Sequence, residues 1–117
     1  KLPVLNLYSS RKEGSFRPDN HRLMVYTNQS MFAWHANSLV VPNERLTDDQ
    51  KKRMGYFVFH NDRWWLVNER LNDLMDVTNE PKVPVPIGGK LELKDGQKIL
   101  FARGDGGRLA VVQMVIA

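Results

Sequence analysis

Apolar side chains in this sequence come in short clusters, many of them alternating, that recur about every ten residues between Gly, Pro, Asn and Asp. A helix must show its apolar face every three or four residues, so this spacing commits most of the chain to β-strands. Leu2 to Tyr8 reads as a first strand and Arg22 to Thr27 as a second, with Leu23, Val25 and Thr27 alternating against Met24 and Tyr26. Ser9 to Asn20 lies between them and holds Gly14, Pro18, Asp19 and Asn20; its polar, breaker-rich composition predicts a long exposed loop. Asn28-Gln29-Ser30 predicts a turn, and Met31–Trp34 and Ser38–Val41 predict extended chain ending at Pro42.

Tyr56–Phe59 and Trp64–Val67, joined by His60-Asn61-Asp62-Arg63, form the clearest hairpin. Leu71, Leu74 and Met75 have spacing for one helical turn or for an irregular loop. Pro81–Pro86 contains three prolines, which confines it to an edge or a loop. Lys90–Leu93, Lys98–Phe101 and Leu109–Ile116 complete the strands. One short segment differs. Thr47-Asp48-Asp49-Gln50 is a capping box with acids at its start and Lys51, Lys52 and Arg53 after it, predicting a short helix near 47–53 that Gly55 ends. The expectation is an all-β domain of about nine to eleven short strands, a sandwich or a barrel.

Composition narrows the class further. The 117 residues are 42% hydrophobic and 26% charged, a globular balance with room for a single domain over 1–117. Cysteine is absent, which excludes a disulfide framework, an iron–sulfur cluster and a thiolate zinc site. No apolar run approaches the roughly 20 residues of a membrane helix. The first residue is Lys, so a piece of a longer protein is expected, and with no secretory signal in view the expected compartment is cytoplasmic.

Motifs that could carry chemistry have simpler structural readings. Arg103-Gly104-Asp105 opens a glycine-rich link between two apolar strands, as a tight turn requires. Ile87-Gly88-Gly89-Lys90 is followed by a strand, whereas a phosphate loop needs a helix there. His21, His35 and His60 lack any paired metal-ligand spacing and read as turn or surface residues. The carboxylates Asp48, Asp49, Glu69, Asp73 and Asp76 suit a helix cap or solvated loops, and no nucleophile elbow is present. The expectation is no enzyme, no cofactor and no metal.

Binding is the remaining class. Lysine and arginine number 17 against 13 acids, a net +4, but acids interleave with the bases and the aromatics sit in apolar strands. A nucleic-acid surface needs aromatics among its cations, so a nucleic-acid-binding barrel is the second reading rather than the first. Trp64 and Trp65 are neighbours on a strand and must face opposite sides, one into the core and one outward as a candidate contact. An accessory domain stacking carbohydrate on Trp64 or Trp65 ranks third.

Tyr56-Phe57-Val58-Phe59 followed by Asn61–Asn68, and Ile87–Phe101 with its Leu93-Lys94-Asp95-Gly96-Gln97-Lys98-Ile99 entry, carry a family resemblance. Over about Ser38 to Phe101 the chain resembles a forkhead-associated domain. The resemblance implies a β-sandwich in which Leu109–Ile116 pairs back with Leu2–Tyr8. The family's phosphothreonine-reading motifs are not matched: Ser-x-x-His aligns with Arg53-Met54-Gly55-Tyr56, and no Asn-Gly-Thr turn lies between Asn68 and Asn79. No Gly-Arg counterpart stands near His35–Leu39 either. In such a sandwich the loops at one end would gather Arg45, Arg53, Arg70 and Asn72, and guanidinium groups suit phosphate or carboxylate. The expected function is a non-catalytic docking module for a protein partner, an acidic or phosphorylated segment or another domain of its own chain.

Overall fold

The computed structural model describes residues 1–12 and 15–116. Its strands form two antiparallel sheets packed face to face, not a barrel. In chain order they are β1 (Leu2–Lys12), β2 (Ser15–Met24), β3 (Ser30–Met31), β4 (Gly55–His60), β5 (Arg63–Asn68), β6 (Met75–Asp76), β7 (Val83–Pro84), β8 (Lys90–Glu92), β9 (Lys98–Leu100) and β10 (Arg108–Val115). The six-stranded sheet has the order β2-β1-β10-β9-β6-β7 and the four-stranded sheet β3-β4-β5-β8. The first and last strands pair from Leu2↔Val115 to Ser9↔Arg108. Two single-turn helices complete the chain, α1 (Ala33–Ala36) and α2 (Asp48–Lys51).

Alternation along each strand builds the core. Leu5 and Leu7 of β1, Ile99 of β9, and Ala110 and Val112 of β10 point inward from the large sheet. Phe57 of β4 and Leu66 of β5 meet them from the small sheet, both fully buried. The β4–β5 hairpin turns at Asn61 and Asp62, which take positive φ of 52° and 61°, as a two-residue primed turn requires. Gly55 does not end a helix but opens β4: a Cβ there would stand 2.5 Å from the Val67 carbonyl oxygen on the facing strand.

The expected capping box is present at α2, where Thr47 Oγ1 accepts from the Gln50 amide at 3.2 Å and Gln50 Oε1 from the Thr47 amide at 2.9 Å. The proline-rich segment lies at a sheet edge, as β7, and Leu71 and Leu74 belong to an irregular loop that buries both side chains.

Other expectations fail as well. Ser9–Asn20 is not an exposed loop: β1 continues to Lys12 and the chain returns as β2 from Ser15, while Glu13 and Gly14 of the expected loop lie outside the described residues. Composition misleads here because β2 is an edge strand, where Pro18 costs no ladder bond and a register shift near Asn20 (φ 52°) is absorbed. Ser9 and Ser10 are buried and their polar atoms are used, Ser9 by Asp19 and the Ser10 backbone by Gly106 and Gly107. Extended chain also fails at Met31–Trp34, where it stops at Met31 and α1 follows, and at Ser38–Val41, which is turn and loop. The α1 turn is held by the Asn37 amide on the Ala33 carbonyl at 3.0 Å. His35, expected at a turn or surface, is instead half-buried with Nδ1 accepting from the Phe32 amide at 2.9 Å. Burial first, then the Arg108 guanidinium and the nearby His21, hold its pKa below the ordinary histidine value.

Two tests follow from this packing. Trp64 is 7% exposed, packs on Phe59 and donates from its indole to the Lys1 carbonyl at 3.2 Å, whereas Trp65 stands on the outer face. Trp64→Ala is expected to cost roughly 3–5 kcal/mol in urea unfolding and Trp65→Ala well under half of that. Equal losses would contradict the inward and outward assignment.

The second concerns Asp76, at the β6–β9 joint. Burial pushes its carboxyl up, but hydrogen bonds from Thr78 and Gln97, aided by Lys94, outweigh it and leave the pKa below the ordinary value. A depressed carboxylate pKa stabilises the fold above the unfolded value, and that contribution is lost as pH falls through the folded one. Urea midpoints should therefore drop below about pH 4, with a shallower drop in Asp76→Asn. An unchanged acid limb in the variant would exclude Asp76 as its source.

Candidate functional site

The hairpin register builds the site. Pairing of Gly55 with Asn68 brings the chain before β4 against the chain after β5, and the Met54 carbonyl accepts from the Glu69 and Arg70 amides at 3.0 and 2.9 Å. Arg53 therefore lies beside Glu69, and they join as a fork: Nε to Oε1 at 2.5 Å and a terminal guanidinium nitrogen to Oε2 at 3.1 Å. The same guanidinium sits 4.5 Å from the centroid of the Tyr56 ring. The hydrogen bonds it donates to Glu69 raise the Arg53 pKa further, so it is a permanent cation. Both partners are solvent-accessible, 43% and 31%, so the fork contributes little to stability.

From there the outer face of the small sheet continues as alternating positions of its strands. Tyr56 faces Val67, which faces Lys90, and in the next row Val58 faces Trp65, which faces Glu92. The Lys90 ammonium lies 4.7 Å from the Trp65 ring centroid, and the Trp65 indole donates to the His60 carbonyl at 3.4 Å. Arg63 reaches Glu92 at 3.5 Å. The result is a surface of two aromatic rings, each faced by a cation, with one acid beside each ring.

Asn68 holds the end of this surface in place. It is fully buried; its amide nitrogen donates to the Leu71 and Val85 carbonyls and its oxygen accepts from the Leu71 amide, all at 2.8 Å. One side chain thus pins the 69–71 loop to Val85, directly after β7.

Of the residues expected to gather, Arg53 and Trp65 share this face, and Arg70 adjoins it with its side chain exposed. Arg45 and Asn72 are exposed in the flanking loops, and no side-chain hydrogen bond or ion pair among the described residues links either to Arg53 or Arg70. Trp64 belongs to the core. Tyr56 and Asn68 were read only as strand residues, Glu69 as a solvated carboxylate and Lys90 as the end of a glycine turn, none of them as part of a binding surface. Counting outward from the Asn61-Asp62 turn would have set residues 53 and 54 against 69 and 70; the approach of Lys90 to Trp65 depends on β8, which no local signal places.

The remaining motifs take the conformations of turns. Asn28 has φ 63°, Gly88 φ 88°, and Gly104 and Gly106 in the Arg103–Gly107 link have φ 81° and 77°. Among the described residues no three metal-ligating side chains gather, and no helix is long and apolar enough to cross a membrane. Comparison with protein-family models, with curated proteins and with solved structures finds no match.

Asn68→Ala should lower stability by about 1–3 kcal/mol for each buried backbone group left unpaired, and should speed amide exchange at Leu71 ahead of the β4–β5 core. Exchange at Leu71 equal to wild type would show that the loop holds without the side chain.

Proposed function

We propose that this chain is a non-catalytic protein-interaction module, a sandwich of the forkhead-associated-like kind, that docks an acidic or phosphorylated protein segment. Its docking surface is the Arg53–Tyr56–Trp65 face of the small sheet, with Arg70 at its rim. The observation that carries this reading is the fork between Arg53 and Glu69: an accessible carboxylate of the chain itself occupies the position that a partner's carboxylate or phosphate would take. An accessible pair of this kind exchanges partners at small cost. A phosphate offers more charge and more acceptors than Glu69, so it competes well for the same guanidinium. Tyr56 and Trp65 add flat apolar area of the type enriched at protein interfaces. Arg45 and Asn72 lie beyond this surface and contribute at most general charge.

The test is retention of matched peptide sets, unmodified, acidic and phosphorylated, with single-stranded nucleic acid at two salt concentrations as a control. Acidic or phosphorylated peptides should be retained selectively. Arg53→Ala should weaken them about tenfold or more, whereas Glu69→Gln, which frees the guanidinium, should strengthen them. Peptide binding that ignores both substitutions overturns the reading. Salt-sensitive nucleic-acid retention without peptide retention replaces it with a phosphate-backbone binder.

A further inference from the structure

The opposite face of the molecule carries a feature that no stretch of sequence displays. Directly paired residues of antiparallel strands lie on the same side of a sheet. Pairing across the large sheet runs Pro18↔Tyr8, Tyr8↔Leu109, Leu109↔Leu100, Leu100↔Met75 and Met75↔Pro84. Six apolar or aromatic residues, one from each strand, therefore form a single row across the whole six-stranded sheet. The row faces away from the core: the next positions, Leu7, Ala110 and Ile99, are the ones buried inside. Tyr8, Leu109, Leu100 and Met75 are half-exposed, and Pro18 and Pro84 are exposed.

Among the described residues, charge at the outward-facing strand positions of this sheet has one sign. The adjacent row holds Arg22, Asn6, Val111 and Lys98. Beside the row are two clefts, one of about 310 Å³ bordered by Phe16, Ala102, Lys82 and Arg103, the other of about 580 Å³ bordered by His21 and Arg22. No outward-facing strand position of this sheet, among the described residues, is Asp or Glu: Asp19 is turned to Arg108 and Asp76 to Gln97 and Thr78. The small sheet's face is different, since its Arg53 and Arg63 are matched by Glu69 and Glu92.

We infer that the outer face of the six-stranded sheet is a second docking surface, which takes an acidic amphipathic helix of a protein partner along the Pro18–Tyr8–Leu109–Leu100–Met75–Pro84 row. Charge complementarity selects the occupant. A second copy of this face would oppose Arg22 and Lys98 with further cations and no acid, so self-pairing is disfavoured. The size of the row selects the helix: strands spaced about 4.8 Å apart make it about 24 Å long, the length of roughly 16 helical residues. An apolar stripe with one contact per turn would seat on it while acidic residues on the flanks meet Arg22, Lys98, Lys82 and Arg103. The Pro84 edge, by contrast, is a poor template for an added strand.

The probe is an 18-residue designed helical peptide with Leu along one stripe and Glu elsewhere; its control carries Lys in place of Glu. Added to the isotope-labelled full chain, the Glu peptide should shift the amide signals of Tyr8, Leu109, Leu100 and Met75, and the Lys peptide should not. Leu100→Glu should weaken the Glu peptide about tenfold or more, and Lys98→Glu should do so more strongly at low salt than at high salt. Leu100 and Lys98 both face outward, and a wild-type-like amide spectrum verifies that each variant is folded. Arg53→Ala should leave this binding unchanged, which separates this surface from the one proposed above. Equal binding of both peptides, shifts confined to the Arg53–Trp65 face, or no shift at millimolar peptide overturns the inference. Retention on phosphatidylserine vesicles without any response to the Glu peptide overturns it in favour of an anionic membrane.

Discussion

The pairing of the first strand with the last is the contact on which the rest of this structure depends. From Leu2↔Val115 to Ser9↔Arg108, β1 and β10 form the middle of the large sheet, with β2 on one side and β9, β6 and β7 on the other. Closing so long a loop costs chain entropy that only the finished core repays, through Leu5, Leu7, Ala110 and Val112 against Phe57 and Leu66. The register of that one ladder decides which residues are inside. A slip by one residue would turn Leu5 and Leu7 to solvent and bring Asn6 and Tyr8 into the core.

The two outer faces that this arrangement leaves are chemically unlike. On the small sheet Arg53 and Arg63 are already answered by Glu69 and Glu92, and the aromatic rings are already faced by cations. Binding there is an exchange, in which a partner must outcompete Glu69 for Arg53. On the large sheet the apolar row is flanked by cations with no acid, among the described residues, at the outward-facing strand positions around them. Binding there is an addition. The same domain therefore offers one surface whose affinity depends on the partner's charge density and another that depends on a matched apolar stripe.

Much of this was legible along the chain and for identifiable reasons. The Tyr56–Val67 hairpin, the Thr47 capping box, the glycine turns and the edge position of Pro81–Pro86 follow from local chemistry: primed-turn residues, a side-chain cap, positive φ and a missing amide proton. Ser9–Asn20 was not legible, because the edge strand β2 has few apolar contacts to reveal it and borrows its hydrogen bonds from β1, while Ser10 at the end of β1 bonds to Gly106 and Gly107. Of the candidate site, Arg53 and Trp65 were named on guanidinium chemistry and strand alternation. Glu69 and Lys90 had only the readings of a solvated carboxylate and a turn end, since what makes them part of the site is a neighbour across a strand.

By itself the sequence determined the class of the fold, because apolar residues at period two with turn residues between them can bury their side chains only as sheets. It also determined that one of Trp64 and Trp65 must face each way. Tertiary structure alone decided which: Trp64 meets Phe59 and the Lys1 carbonyl inside, leaving Trp65 under Lys90 outside. It alone decided, too, that Pro18, Tyr8, Leu109, Leu100, Met75 and Pro84 stand in one line. A row that crosses strands has one residue in each, so its apolar character is invisible along the chain and exists only once the registers are set.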